Sequence, residues 1–259
     1  MEGIGNGGPN RVTLAGHAPS LVFFCLLLGA CTPRPAERSD YRVVRAAGAA
    51  ASLLAADDGA WRPSNRIAWG PDAYATVFRG VWTDAGLFVR FDATDPDPWH
   101  TLTRHDDKLW DEEVVEIFLQ PAGQRDYAEV EISPANVTCD VWVSPVDSGS
   151  KASPRQFDVA WNLDGLESRV TLHGGEAGRA IGWTAVAFLP WSGFVAAAKG
   201  ARLPPGPRDR WRFNVFRIER PGGKDRPEEG ALYLAWTPTG KKSFHVPEAF
   251  RDLTFTSDD

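Results

Sequence analysis

From about residue 43 onward, apolar and polar side chains alternate in short runs with a period of two, the repeat of a half-buried strand. In residues 127–133, Ala128, Val130 and Ile132 form one face while Glu129 and Glu131 form the other. Residues 75–95 read as a hairpin: an apolar run to Thr83, a turn at Asp84-Ala85-Gly86, and a return through Leu87-Phe88-Val89-Arg90-Phe91. Further strand-like runs lie at 114–119, 139–144, 168–173, 182–189, 211–218, 231–236 and 253–256. About ten short strands with turn residues between them predict an all-β chain, an antiparallel β-sandwich of jelly-roll-like form. Helical pattern is confined to minor turns at 46–56 and 192–199, and long polar loops are expected at 95–108, 174–179 and 221–230.

The first forty residues follow a different pattern. Residues 21–28 form an unbroken apolar run, too short for a permanent membrane span but of the length of a signal-peptide core. It runs directly into Leu28-Gly29-Ala30-Cys31, which resembles the lipobox of bacterial lipoproteins. That resemblance implies cleavage before Cys31 and lipidation of its sulfur. It divides the chain into a signal peptide (1–30), a flexible tether (31–42) and a folded domain (43–259). Acyl chains contribute about 0.8 kcal/mol per buried CH₂, so several of them hold a protein at a membrane. Thr32, where inner-membrane lipoproteins carry Asp, points to the outer membrane of the cell envelope.

Composition narrows the function classes. The 259 residues carry a net charge of −6 without a basic block, which argues against nucleic acid as a partner. Cys139 alone lies in the domain, so no internal disulfide is expected there. No His-Glu-x-x-His motif or cysteine pair suggests zinc. The loop holding Asp95, Asp97, His100, His105, Asp106 and Asp107 has oxygen donors of the kind calcium takes, but no EF-hand spacing. We therefore expect no metal and no required cofactor, with structural Ca²⁺ as the one candidate. No Gly-x-Ser-x-Gly elbow or P-loop appears, so catalytic residues are expected to be none. Carboxylates that would suit glycoside hydrolysis, such as Glu116 with Glu129 or Asp111, are available in number only. The 11 Trp and 14 Phe fit β structure, and exposed aromatic rings make binding platforms.

Several segments together resemble family 9 carbohydrate-binding modules. They are Asp58-Gly59 with Trp61, Trp82-Thr83-Asp84 through Phe91, and Trp110 to Leu119 with Glu116 inside it. Downstream come Tyr127 to Pro134, Trp183 to Trp191, Arg212-Phe213-Asn214 to Arg217, Leu234 to Gly240, and Phe244-His245 to Phe250. The resemblance spans residues 43–256 in order. It implies a β-sandwich that grips a sugar between two aromatic rings while polar side chains read its hydroxyls. Trp110 takes the place of the first ring, Glu116 that of the hydroxyl acceptor, and Phe250 the place where relatives often show a second Trp. Arg217 and His245 complete the candidate ligand-binding set.

Read from the residues alone, Glu116 is also an outward strand residue or a partner for Arg90 or Arg217. Asn214 and Arg217 alternate to opposite faces, so at most one serves the site. Related sandwich domains in redox enzymes carry haem on Met, but the single Met of this chain is Met1. The expected function is therefore carbohydrate binding, to an oligo- or polysaccharide, by a membrane-anchored lipoprotein that is not itself an enzyme. A separate carbohydrate-active enzyme is its expected partner. The alternatives are a non-catalytic envelope scaffold or protein-interaction domain, and a glycoside hydrolase-associated activity.

Overall fold

The computed structural model describes residues 40–146, 154–174, 180–223, 225 and 228–257. The segments read from sequence as a signal peptide (1–30) and, through residue 39, as a tether beginning at Cys31 lie outside the described residues. Among those described, thirteen strands form a β-sandwich, and three short helices accompany them: α1 (Ala50–Leu54), α2 (Asp58–Trp61) and α3 (Trp191–Phe194).

One sheet runs β8 (Arg155–Asp158), β7 (Thr138–Pro145), β6 (Tyr127–Ile132), β5 (Val114–Gln120) and β11 (Arg210–Glu219). The far edge of β11 is shared by β13 (Arg251–Thr256) and β12 (Leu232–Ala235). The other sheet contains β3 (Thr76–Trp82), β4 (Gly86–Thr94), β10 (Ala180–Pro190) and β9 (Glu167–Gly174), with β2 (Arg66–Trp69) on the outer edge of β3. β1 (Tyr41–Arg45) joins the two, pairing in parallel with both β13 and β3; the other pairings are antiparallel. The expected hairpin is β3–β4, with Thr83 Oγ1 accepting from the backbone N–H of Ala85 and Gly86 to close its turn. Gly86 is required by close approach: a Cβ there would stand 2.4 Å from the Phe188 ring and 2.5 Å from the Leu189 carbonyl oxygen.

Strands β1, β2 and β8 went beyond what alternation indicated, since two are only four residues long. The helical turn expected over 46–56 is reduced to α1, and that over 192–199 to α3.

The core between the sheets takes one face of each strand. From β5 it takes Val115, Ile117 and Leu119; from β6, Ala128 and Val130; from β4 and β10, Val89, Phe91, Ala185 and Leu189. Aromatic rings fill the rest: seven tryptophans lie in this core, an eighth, Trp61, is buried in a separate cluster with Leu53 and Leu54, and Trp99, Trp110 and Trp161 keep the most ring surface.

A second apolar layer covers the opposite face of β5, β6, β7 and β11, made of Val114, Phe118, Tyr127, Val141, Val143, Phe216 and Ile218. Phe244 and Phe250, from the segment between β12 and β13, pack onto it. β5 and β6 are consequently buried on both faces. Glu129 and Glu131 do point away from the sandwich core, as their alternation indicates, yet they are covered rather than solvated.

Candidate functional site

The covered face opens into a groove of about 480 Å³, within the size range of ligand sites. Trp110 and Phe157 form part of its walls, with Tyr233 and Phe244, while Phe118 and Val141 form its apolar floor. Glu116, Glu129 and His245 add the polar positions.

Trp110 sits in a one-turn 3₁₀ segment (Leu109–Asp111) just before β5. Leu109 anchors the turn in the second apolar layer, and Arg220 donates to the Trp110 carbonyl at 3.1 Å. Two of the three acids that follow tie down the preceding loop: Glu112 accepts from the backbone N–H of Thr101 (2.8 Å), and Glu113 from that of Trp99 (3.0 Å). Glu112 and Glu113 are buried and serve the loop structurally, while Asp111 is exposed. The half-buried Trp110 ring faces the groove.

The strand register places three carboxyl groups together: Glu116 lies opposite Glu131, and Glu129 projects from the same face two residues before it. One carboxylate oxygen from each lies within 4.8 Å of the others. Burial of Glu116 pushes its carboxyl well above the usual range, with neighbouring Glu129 adding to the rise. Glu131 behaves likewise through burial and then through Glu116 and Glu129, while burial lifts Glu129 to about 7. Among the described residues, Oε1 of Glu116 is buried without a hydrogen-bond partner, while Glu129 and Glu131 hydrogen-bond to each other through a proton that their raised pKa values retain. A buried polar oxygen left unpaired is costly, so a ligand hydroxyl that reached Glu116 would gain a hydrogen bond there.

His245 closes one end. Its ring stacks on Phe118 at 5.2 Å and meets the Phe157 edge at 4.8 Å. Burial, then the charges of Arg155 and Lys241, hold its pKa down to about 4. The ring is thus neutral near pH 7, and its Nδ1 shares a hydrogen bond with the Tyr127 hydroxyl at 2.8 Å.

Of the residues singled out from sequence, Trp110, Glu116 and His245 share this groove; Phe250 and Arg217 do not. Phe250 is only 1% exposed and lies beneath the floor, edge-on to Phe118 and Tyr127, so it offers no stacking face. Arg217 projects into the sandwich instead, because it is opposite Val115 in the ladder. There it pairs with Asp95 at 3.0 Å and with Glu219, and donates to the Thr94 carbonyl at 2.8 Å. Glu116 therefore has no ion pair with Arg217; nor has it one with Arg90, which pairs with Asp58 and Asp92. Asn214 is wholly buried, donating to the Thr237 carbonyl and so pinning the segment that carries His245.

Phe157 was missed by sequence reading. It is 46% exposed on β8, a four-residue strand adjoining residues outside those described, and no alternation marks it. Its register opposite Val143, on the covered face, was the only available signal.

Acids of the 95–108 loop divide between two clusters: His105 and Asp106 meet Asp140, and Asp95 meets Glu113 and Glu219, the donor atoms of each cluster lying within 4.8 Å of one another. Asp95 accepts from Trp183 and Arg217, Asp107 from the backbone of Thr103 and Arg104, and His105 binds Asn162 and Thr138. No helix among the described residues is long and apolar enough to cross a membrane.

Neither a known family profile nor a curated protein sequence matches the chain. Solved structures do. A Bacteroides uniformis protein assigned provisionally to carbohydrate binding is 17% identical, with a TM-score of 0.61 over 84% of this chain and 98% of that one. A family 9 carbohydrate-binding module from Caldicellulosiruptor kristjanssonii in complex with cellotriose is 13% identical, with a TM-score of 0.55 over 85% and 94%. One from the same organism in complex with glucose is 14% identical, with a TM-score of 0.56 over 84% and 97%. The described domain has the fold of the family 9 carbohydrate-binding modules.

Proposed function

We propose that this protein binds an oligo- or polysaccharide in the Trp110–Phe157 groove without catalysing a reaction on it, and that it does so from a bacterial envelope, tethered through lipid on Cys31. The observation that carries the reading is the pairing, in one groove, of partly exposed aromatic rings with the buried carboxyl of Glu116, whose Oε1 lacks a partner. A sugar ring presents C–H faces to the former and hydroxyls to the latter. The structures of similar fold with bound cellotriose and glucose support the same ligand class.

Non-catalytic binding is supported by the placement of the carboxyls. Glycoside hydrolysis needs two carboxyl groups flanking the scissile bond. Glu116, Glu129 and Glu131 instead lie side by side on one sheet face. We further propose that no resident cofactor is required, and that cleavage of any bound polysaccharide belongs to a separate enzyme.

The test is a broad glycan panel with the full-length protein, followed by titration calorimetry on the best ligand. Trp110→Ala is expected to weaken binding about tenfold or more, and Phe157→Ala by a few-fold, consistent with about 0.5–1.5 kcal/mol per aromatic contact beyond area burial. Both variants should keep the wild-type melting temperature within a few degrees. Failure of the wild-type protein to bind across the panel would overturn the proposal in favour of an envelope scaffold.

A further inference from the structure

Beyond His245 the groove continues into a second concavity of about 460 Å³ whose chemistry is different. Its lining includes Arg125, Arg155, Arg212 and Lys241 against one carboxylate, Glu248. The chain as a whole carries a net charge of −6, so this concentration of cations is local. Among the described residues, Arg155, Arg212 and Lys241 have no carboxylate within salt-bridge distance. Arg212 is instead held by neutral acceptors, the Phe250 carbonyl at 2.8 Å and the Gln120 side chain at 3.3 Å. Arg155 lies over the Tyr127 ring at 5.5 Å. The guanidiniums of Arg155 and Arg212 are held by these uncharged neighbours, so their charge, with that of Lys241, is directed towards the cavity.

We propose that this concavity is an anion subsite, binding the carboxylate or sulfate ester of a glycan whose neighbouring ring lies in the aromatic groove. Planar guanidiniums match such oxyanions with paired, charge-assisted hydrogen bonds. His245 belongs to both cavities and joins them. Beyond the effect of its burial, the charges of Arg155 and Lys241 lower its pKa further. Neutral His245 is no obstacle to an anion, and neither are protonated carboxyls on the groove floor. The inference rests on the carbohydrate reading above and makes it more specific: the ligand is an acidic polysaccharide.

The experiment compares three oligosaccharides of equal length by titration calorimetry on the full-length protein at low salt: cellotriose, a trimer containing a uronate, and a sulfated trimer. Binding of an acidic trimer at least tenfold tighter than cellotriose is expected, with the advantage shrinking as salt is added. Whichever acidic trimer shows it identifies the substituent. The double variant Arg155→Gln/Lys241→Gln should reduce the advantage to within about twofold while cellotriose affinity is unchanged; if that variant fails to fold, Lys241→Gln alone, at an exposed position, should halve it or more. As a second readout, the acidic trimer should raise the His245 pKa in NMR titrations and cellotriose should not. Equal affinity for neutral and acidic trimers, or an advantage that survives the variants, overturns the subsite but leaves the carbohydrate reading intact. Inorganic sulfate raising the His245 pKa with no acidic trimer preferred would likewise overturn it as a glycan subsite. If no trimer binds, the underlying carbohydrate reading fails instead.

Discussion

Arg217 shows how far the role of a single residue depends on which face of its strand it occupies. Its guanidinium is wholly buried between Asp95 and Glu219, over the Trp183 ring at 6.0 Å, and more than ten residues of sequence separate most of these groups. Removing one partner of a buried ionic cluster leaves the others charged and desolvated. Arg217→Met is therefore expected to lower unfolding free energy by about 3–5 kcal/mol in a urea titration. Glycan affinity of the folded protein should not change; a large loss at unaltered stability would place Arg217 in the binding site after all. Phe250 makes the same point for an apolar side chain. Its position in the motif indicated a stacking ring, but packing turned it under Phe118.

At the scale of the element, the pairing of β5 with β6 sets the behaviour of three carboxyl groups. Their folded pKa values are raised, so the folded state holds protons that the unfolded chain releases from about pH 4.5 upward. Their contribution to stability is complete below that pH and is lost as pH rises, through about 7 for Glu129 and beyond it for Glu116 and Glu131. Each carboxyl held protonated across such an interval changes stability by about 1.4 kcal/mol per pH unit. His245, held down to about 4, acts in the opposite direction as pH falls below 6.5. The measurement is therefore the difference between wild-type protein and Glu131→Gln, which mimics the protonated form. Between pH 5 and 8 the wild-type melting temperature should fall more steeply than that of the variant. Parallel curves would mean that Glu131 stays ionised in the folded state.

At the scale of the whole molecule, binding and attachment are separate properties. The groove belongs to the described domain, whereas attachment is assigned to Cys31, which lies outside it. Cys31→Ser is expected to abolish incorporation of radiolabelled palmitate in bacterial cells and to release the protein from membranes, with glycan binding retained. Labelling that persists in the variant would remove the lipoprotein assignment without touching the groove.

The two-residue alternation determined the sandwich itself, because each half-buried strand must place one apolar face against a partner sheet. It did so for β3, β4, β5, β6 and β10, and it also set Glu129 and Glu131 apart from the core. The sequence also put Trp110, Glu116 and His245 on the list of site residues from their place in the ordered motifs. Tertiary structure decided the rest. Whether the second face of β5 and β6 meets water or protein depends on Phe244 and Phe250, which arrive from more than a hundred residues away and convert outward-pointing acids into buried ones. Phe157 and the Arg155–Lys241 concavity likewise exist only through register and chain return, since a period of two assigns a side chain to a face but carries no record of what will cover it.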